Sequence, residues 1–128
     1  MGAEDDALES LQEEAALEAA VRKAVCQFEL EFMAGSFAER IRVLVAPDTI
    51  VVRSKGVPPA AEQQLIHTKE GRGLVKQLYQ TLFAQRGGIL VNKIVALTGV
   101  EVTDVLTDFA VSTGEQVIVF LFASHHED

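Results

Sequence analysis

The fold of this chain is decided by residues 40–53, which read RIRVLVAPDTIVVR. Apolar residues alternate with other residues from Ile41 to Val45, and an apolar run resumes at Ile50. A period of two is typical of a β-strand, and Pro47-Asp48 between the two runs is typical of a tight turn. The stretch therefore predicts a β-hairpin.

The register of this hairpin brings two arginines together. If residues 46–49 form the loop, Val43 faces Val52 on one side of the hairpin and Arg42 faces Arg53 on the other. Directly opposed like charges are unfavourable in a sheet. We therefore expect an anion or a carboxylate beside the arginines, and the acidic helix of a neighbouring chain is one source for it.

The period of two returns near the end of the sequence. Residues 102–111 and 116–122 predict two more strands, joined by a turn at residues 112–115. The last strand, with VIVFLF at residues 117–122, is apolar on both faces, as expected of a strand that is covered on both sides. The two hairpins together predict one four-stranded antiparallel sheet.

Before and between the hairpins, the sequence predicts helices. Apolar residues recur every three or four positions from about residue 7 to residue 33, which predicts one long amphipathic helix. Its length, on the order of 40 Å, exceeds the width of so small a domain, so the acidic residues 1–20 are expected to project. Between the hairpins we expect a short helix over residues 60–67 and a second helix capped by Thr68.

Two glycine-containing stretches set the expected limits of the second helix. Arg86-Gly87-Gly88 predicts a break or a bend, after which a further helical piece ends near Gly99. The sequence thus predicts an α+β fold in the order α-β-β-α-α-β-β, with one domain over residues 21–124 and a disordered tail over residues 125–128. The second apolar face of the last strand predicts that the chain pairs with itself, most simply as a homodimer.

Composition and charge exclude several classes of function. The 128 residues are 48% hydrophobic and 23% charged, which is typical of one globular domain. The net charge is −8, and residues 1–31 hold nine acids against Arg22 and Lys23. An acidic chain repels the phosphate backbone, so we expect no nucleic acid as a partner. The sequence has neither a secretory signal nor an apolar run of about 18 residues, so we expect a cytoplasmic protein without direct membrane insertion.

No combination of residues predicts catalysis or metal binding. Cys26 is the one cysteine, which excludes an intramolecular disulfide and a CxxC metal site. Asp104 and Asp108 share a strand face at a spacing of about 13 Å, which is too far for a pair of catalytic carboxylates. His125 and His126 belong to the terminal tail, where metal ligands would lack a fixed geometry. We therefore expect no catalytic residues, no metal and no cofactor.

The sequence holds two groups of basic residues. The first hairpin carries Arg40, Arg42, Arg53 and Lys55, and a predicted helix carries Lys69, Arg72 and Lys76 at helical spacing. One interpretation is that both groups are ordinary solvated faces. The other is a groove between the hairpin and the helix that binds an anionic ligand or the acidic segment of a partner.

Several short motifs resemble the MpsC-like family of small bacterial proteins over roughly residues 20–122. They are RIRVLV at residues 40–45 with DTIVV at 48–52, GV at 56–57 leading to Glu62, EGR at 70–72, and TGV at 98–100 with DVLTD at 104–108. The family name implies a link to a membrane-potential-generating transport system that handles cations or bicarbonate. The resemblance carries no catalytic residues with it.

The chain departs from the family pattern at two junctions. Residues 34–37, AGSF, stand where the family has a Gly-basic-Gly-Pro turn, and Pro58-Pro59 replaces a Leu-Thr pair. At the first junction we expect Phe37 to be an exposed contact residue. Taken together, these features predict a non-enzymatic accessory or regulatory protein that self-associates and binds a protein partner, a component of such a transport system. The alternative prediction is a sensor of a small anion.

Overall fold

The fold is a four-stranded sheet with two long helices on one face. A computed structural model of the chain describes residues 3–123. The elements in chain order are α1 (Ala3–Phe32), β1 (Arg40–Ala46), β2 (Thr49–Lys55), α2 (Ala60–Leu65), α3 (Lys69–Thr98), β3 (Val102–Ala110) and β4 (Glu115–Phe122). This order confirms the predicted α+β class. The tail predicted for residues 125–128, and residues 1 and 2 of the projecting segment, lie outside the described residues.

All strands in the sheet pair antiparallel, in the order β1-β2-β4-β3. The register of the first hairpin is the predicted one, with Val43 opposite Val52 and Arg42 opposite Arg53. In the second hairpin the turn lies one residue earlier than predicted, because Glu115 already belongs to β4. The central pair β2 and β4 joins the two hairpins and makes them one sheet.

The core lies between the inner face of the sheet and the second half of α1 together with α3. On β4 the alternate residues from Gln116 to Phe122 are buried, and the side chains between them point to the opposite face. On α1 burial begins at Val21, whereas every residue from Glu4 to Ala16 is exposed. Within the described residues no helix combines the length and apolar composition that crossing a membrane requires.

Arg86-Gly87-Gly88 does not break the helix, since α3 is continuous from Lys69 to Thr98, so the predicted break and the separate helical piece after it are wrong. The buried stripe of α3 continues through the glycines to Leu90 and Ile94, and the burial of each such side chain contributes roughly 1.5–3 kcal/mol. A glycine inside a helix costs only about 1 kcal/mol, so packing decides the outcome. The predicted helix ends are confirmed: Thr68 accepts a hydrogen bond from the backbone N–H of Gly71, and Gly99 ends the helix with φ of 71°.

Candidate functional site

The outer face of the sheet, which no helix of the described chain covers, is the candidate site and is called the open face here. One row across it is wholly aliphatic, with Leu44, Val51, Val119 and Leu106 as direct neighbours on β1, β2, β4 and β3. We call these four side chains the apolar row. Leu44 is 65% exposed and Leu106 is 53% exposed at the two edges, and the two valines are half-buried. The open face of a half-solvated antiparallel sheet is normally polar, so this row is unusual.

One corner of the open face is basic. Arg40 and Arg42 lie on β1 beside Lys55 and Arg53 on β2, and these four residues are called the basic corner. They line a depression of about 190 Å³ together with Ser54 and Glu115. The three hairpin arginines that the sequence singled out are therefore brought together in one place.

The carboxylate expected beside the opposed arginines comes from the same chain. Arg53 donates two hydrogen bonds to Oε2 of Glu115, at 2.8 Å from Nη2 and 3.1 Å from Nε. These hydrogen bonds lower the pKa of Glu115 below its usual value. Within residues 3–123, neither Arg40 nor Arg42 has a carboxylate oxygen within 4.0 Å. The basic corner thus keeps positive charge available for a further anion.

The second basic group does not join the first. The depression at the basic corner has no lining residue from α3. Arg72 donates to the carbonyl of Ile66 at 3.1 Å, and Lys76 forms an ion pair of 3.1 Å with Asp108 on β3. Lys69 is exposed at the start of α3. The structure therefore gives no support to a single groove that is shared by the hairpin and the helix.

The expectation that Phe37 is an exposed contact residue is wrong. Its side chain is 1% exposed and its ring lies 4.9 Å from the ring of Tyr79 and 5.6 Å from that of Phe109. The cause is the turn after α1, in which Ala34 and Gly35 both take positive φ values. This turn folds the chain back across the end of the sheet and places Phe37 between α3 and β3.

Sequence reasoning missed a buried acid. Glu29 has no exposed surface, and neither of its carboxylate oxygens has a hydrogen-bond partner within the described residues. Burial raises the pKa of Glu29 to about 8. The signal that could have found it is its spacing, because Glu29 lies four residues after Val25 and four before Met33, and both of these are fully buried.

Near this acid is a tyrosine that is also buried. Burial and the hydrogen bond from its hydroxyl to Glu62 raise the pKa of Tyr79, and the charge of Glu29 acts in the same direction. Across residues 3–123, no three side chains of His, Cys, Asp or Glu are grouped so that they could hold a metal ion. Glu29 lies within the core, and the open face is the surface taken as the candidate site.

Comparison with known proteins gives the family. Residues 13–124 match the family model described as "Na+-translocating membrane potential-generating system (MpsC)". The chain is 30% identical over 104 residues to "Uncharacterized protein YbcI" of Bacillus subtilis (strain 168), which covers 81% of this chain and 83% of that protein. No solved structure gives a significant match. Because the family model spans most of the sequence, this chain belongs to the MpsC family.

Proposed function

We propose that this chain is a non-enzymatic accessory or regulatory protein that self-associates through the open face and binds a protein component of a Na⁺-linked membrane system. The apolar row is the observation that carries the proposal. Leu44 and Leu106 at its two ends are each more than half exposed, on a sheet whose other face packs against α1 and α3. Removing apolar surface from water contributes roughly 25 cal/mol per Å², so a second protein surface on this face would be stabilising.

The central strands support the same proposal. In a sheet with one solvated face, the outward residues are polar in alternation with the buried ones. Here the outward residues of β4 that follow Glu115 are Val117, Val119 and Leu121, and Val51 lies beside them on β2. A contiguous exposed apolar patch of this kind is typical of a protein interaction site. The link to a Na⁺-translocating system comes from the description of the family.

A Leu44→Glu substitution tests the proposal. Wild-type protein at tens of micromolar is expected to sediment as a dimer. Each dimer of the variant would bury two unpaired carboxylates, so the variant should dimerise at least about a hundredfold more weakly than the wild type. Sedimentation velocity over a concentration series measures this. Leu30→Glu is the matched control, because Leu30 is 63% exposed but lies on α1. A monomeric wild type would contradict the proposal.

The basic corner favours a second candidate function, the binding of a small anion. Arg40, Arg42, Arg53 and Lys55 converge on one depression, and only Arg53 has a carboxylate partner within residues 3–123. Charge-assisted hydrogen bonds from guanidinium groups suit phosphate or carboxylate oxygens.

Thermal denaturation tests the anion candidate. Inorganic phosphate or bicarbonate, added at constant ionic strength, is expected to raise the midpoint by a few degrees in the wild type, because a ligand bound only to the folded state stabilises it. Arg42→Ala should abolish the rise, and Lys69→Ala, which lies outside the depression, should preserve it. An equal rise in both variants would place the anion elsewhere.

A further inference from the structure

The open face has a charge pattern as well as an apolar row, and the two run across the sheet in parallel. Two residues along each strand from the apolar row, the next outward-facing side chains form a second row: Arg42, Arg53, Val117 and Asp108. Two residues further in the same direction, a third row is formed by Arg40, Lys55, Glu115 and Ala110. In both rows the bases are on β1 and β2, and the acid is on β3 or β4.

We propose that the occupant of the open face is a second copy of this chain, packed face to face about a two-fold axis parallel to the strands. The inference rests on the self-association proposed above and adds its geometry. Such an axis keeps each row over itself and reverses the strand order, so that β1 of each copy lies over β3 of the other. Aligned packing of this kind, with sheets about 10 Å apart, is the usual arrangement of two stacked antiparallel sheets.

The apolar row is complementary to itself under this axis. Leu44 of one copy lies opposite Leu106 of the other, and Val51 lies opposite Val119. The two most exposed side chains of the row are therefore covered at both edges. The contact occurs twice, since a two-fold interface repeats every pair.

The charges are complementary under the same axis. Arg42 of one copy faces Asp108 of the other, and Lys55 faces Glu115. An axis at right angles to the strands would instead place each strand over its own counterpart. The bases of β1 and β2 would then face only β1 and β2, which present no acid on the open face. Charge complementarity therefore selects the parallel axis, because of the two axes only the parallel one places bases opposite acids.

Charge reversal tests the pairing without changing the apolar row. In an Arg42→Glu homodimer, each introduced carboxylate would face Asp108 of the other copy. In an Asp108→Arg homodimer, each introduced guanidinium group would face Arg42 of the other copy. Each variant alone is expected to associate about tenfold more weakly or worse than wild type. An equimolar mixture should regain the wild-type affinity in sedimentation, because the mixed dimer holds an opposite-charge pair at both places. Failure of the mixture to recover would overturn the arrangement.

Cross-linking gives a second measurement that does not depend on the charges. Leu44→Cys and Leu106→Cys are purified separately in a Cys26→Ser background and treated with a short bifunctional thiol reagent. A covalent dimer is expected only in the mixture of the two variants. Within one chain the two positions are three strand spacings apart, about 14 Å. In the dimer each position is separated from its own copy by the same distance across the sheet and by a further ~10 Å between the sheets.

The outcomes separate this arrangement from the proposal on which it rests. Efficient cross-linking of Leu44→Cys alone would mean that β1 meets β1, which overturns the parallel axis. The mixture of cysteine variants could also sediment as a dimer, like the wild type, without giving a cross-link. That result would support self-association and reject the proposed geometry. A wild-type monomer at tens of micromolar rejects both.

Discussion

At pH 8, a Glu29→Gln variant is expected to be more stable than the wild type by roughly 4 kcal/mol, whereas at pH 5 the difference should fall below about 1 kcal/mol. The cause is the buried carboxyl group of Glu29, whose two oxygens lack hydrogen-bond partners within the described residues. Burial without a partner favours the neutral acid and raises its pKa from 4.5 to about 8. Glutamine has nearly the same shape and stays neutral at every pH.

The sign follows from which state holds the proton. Below pH 4.5 the carboxyl group is protonated in both the folded and the unfolded chain, so it adds no pH dependence. Between pH 4.5 and about 8 the unfolded chain has lost this proton and the folded chain retains it, so the stability of the wild type falls as pH rises. The slope is about 1.4 kcal/mol per pH unit, and Glu29→Gln removes it.

Urea denaturation of both chains at several pH values between 5 and 8 measures this effect. The difference between the two unfolding free energies is the quantity to follow, because it cancels every titrating group that the chains share. Glu31→Gln on the same helix is the control, since the side chain of Glu31 is exposed. Parallel profiles for the wild type and Glu29→Gln would mean that the carboxylate is paired or hydrated in solution, contrary to the structure.

The parts of the fold that could be predicted from sequence are those with strong local signals. The period of two around Pro47-Asp48 determined the first hairpin and its register, because a shift by one residue would turn every buried side chain to the open face. Thr68 and Gly99 marked the ends of α3 correctly, because capping depends on a few adjacent residues. These signals need no knowledge of the rest of the chain.

The errors come from interactions between residues that are distant in sequence. Gly87-Gly88 reads as a break by local propensity, but Leu90 and Ile94 beyond it pack into the core and hold the helix together. The partner of Arg53 is Glu115, 62 positions away, and only the pairing of β2 with β4 brings the two together. At the candidate site, sequence identified the hairpin arginines and the doubly apolar β4, but not the apolar row, which needs the order of all four strands.

The largest loss of stability is expected from truncation of Phe37, for which the sequence predicted a surface position. Phe37→Ala is expected to lower the free energy of unfolding by about 3–5 kcal/mol, because it removes a fully buried ring and leaves a cavity. The ring contacts two other rings, those of Tyr79 and Phe109, so the cavity would open where α3 meets β3. Urea denaturation at one protein concentration measures the loss.

Two further substitutions distinguish a core role from a contact role for Phe37. Phe37→Leu keeps most of the buried volume and should cost less than Phe37→Ala, and Leu74→Ala, at a position 54% exposed, should change stability little. If Phe37 were an exposed contact, Phe37→Ala would have the same free energy of unfolding as the wild type and would lose only the binding of its partner. A loss of about 3–5 kcal/mol is a large part of the roughly 5–15 kcal/mol that stabilises a domain. Weak partner binding by this variant would therefore reflect unfolding, and the open face must be tested with substitutions such as Leu44→Glu that leave the core intact.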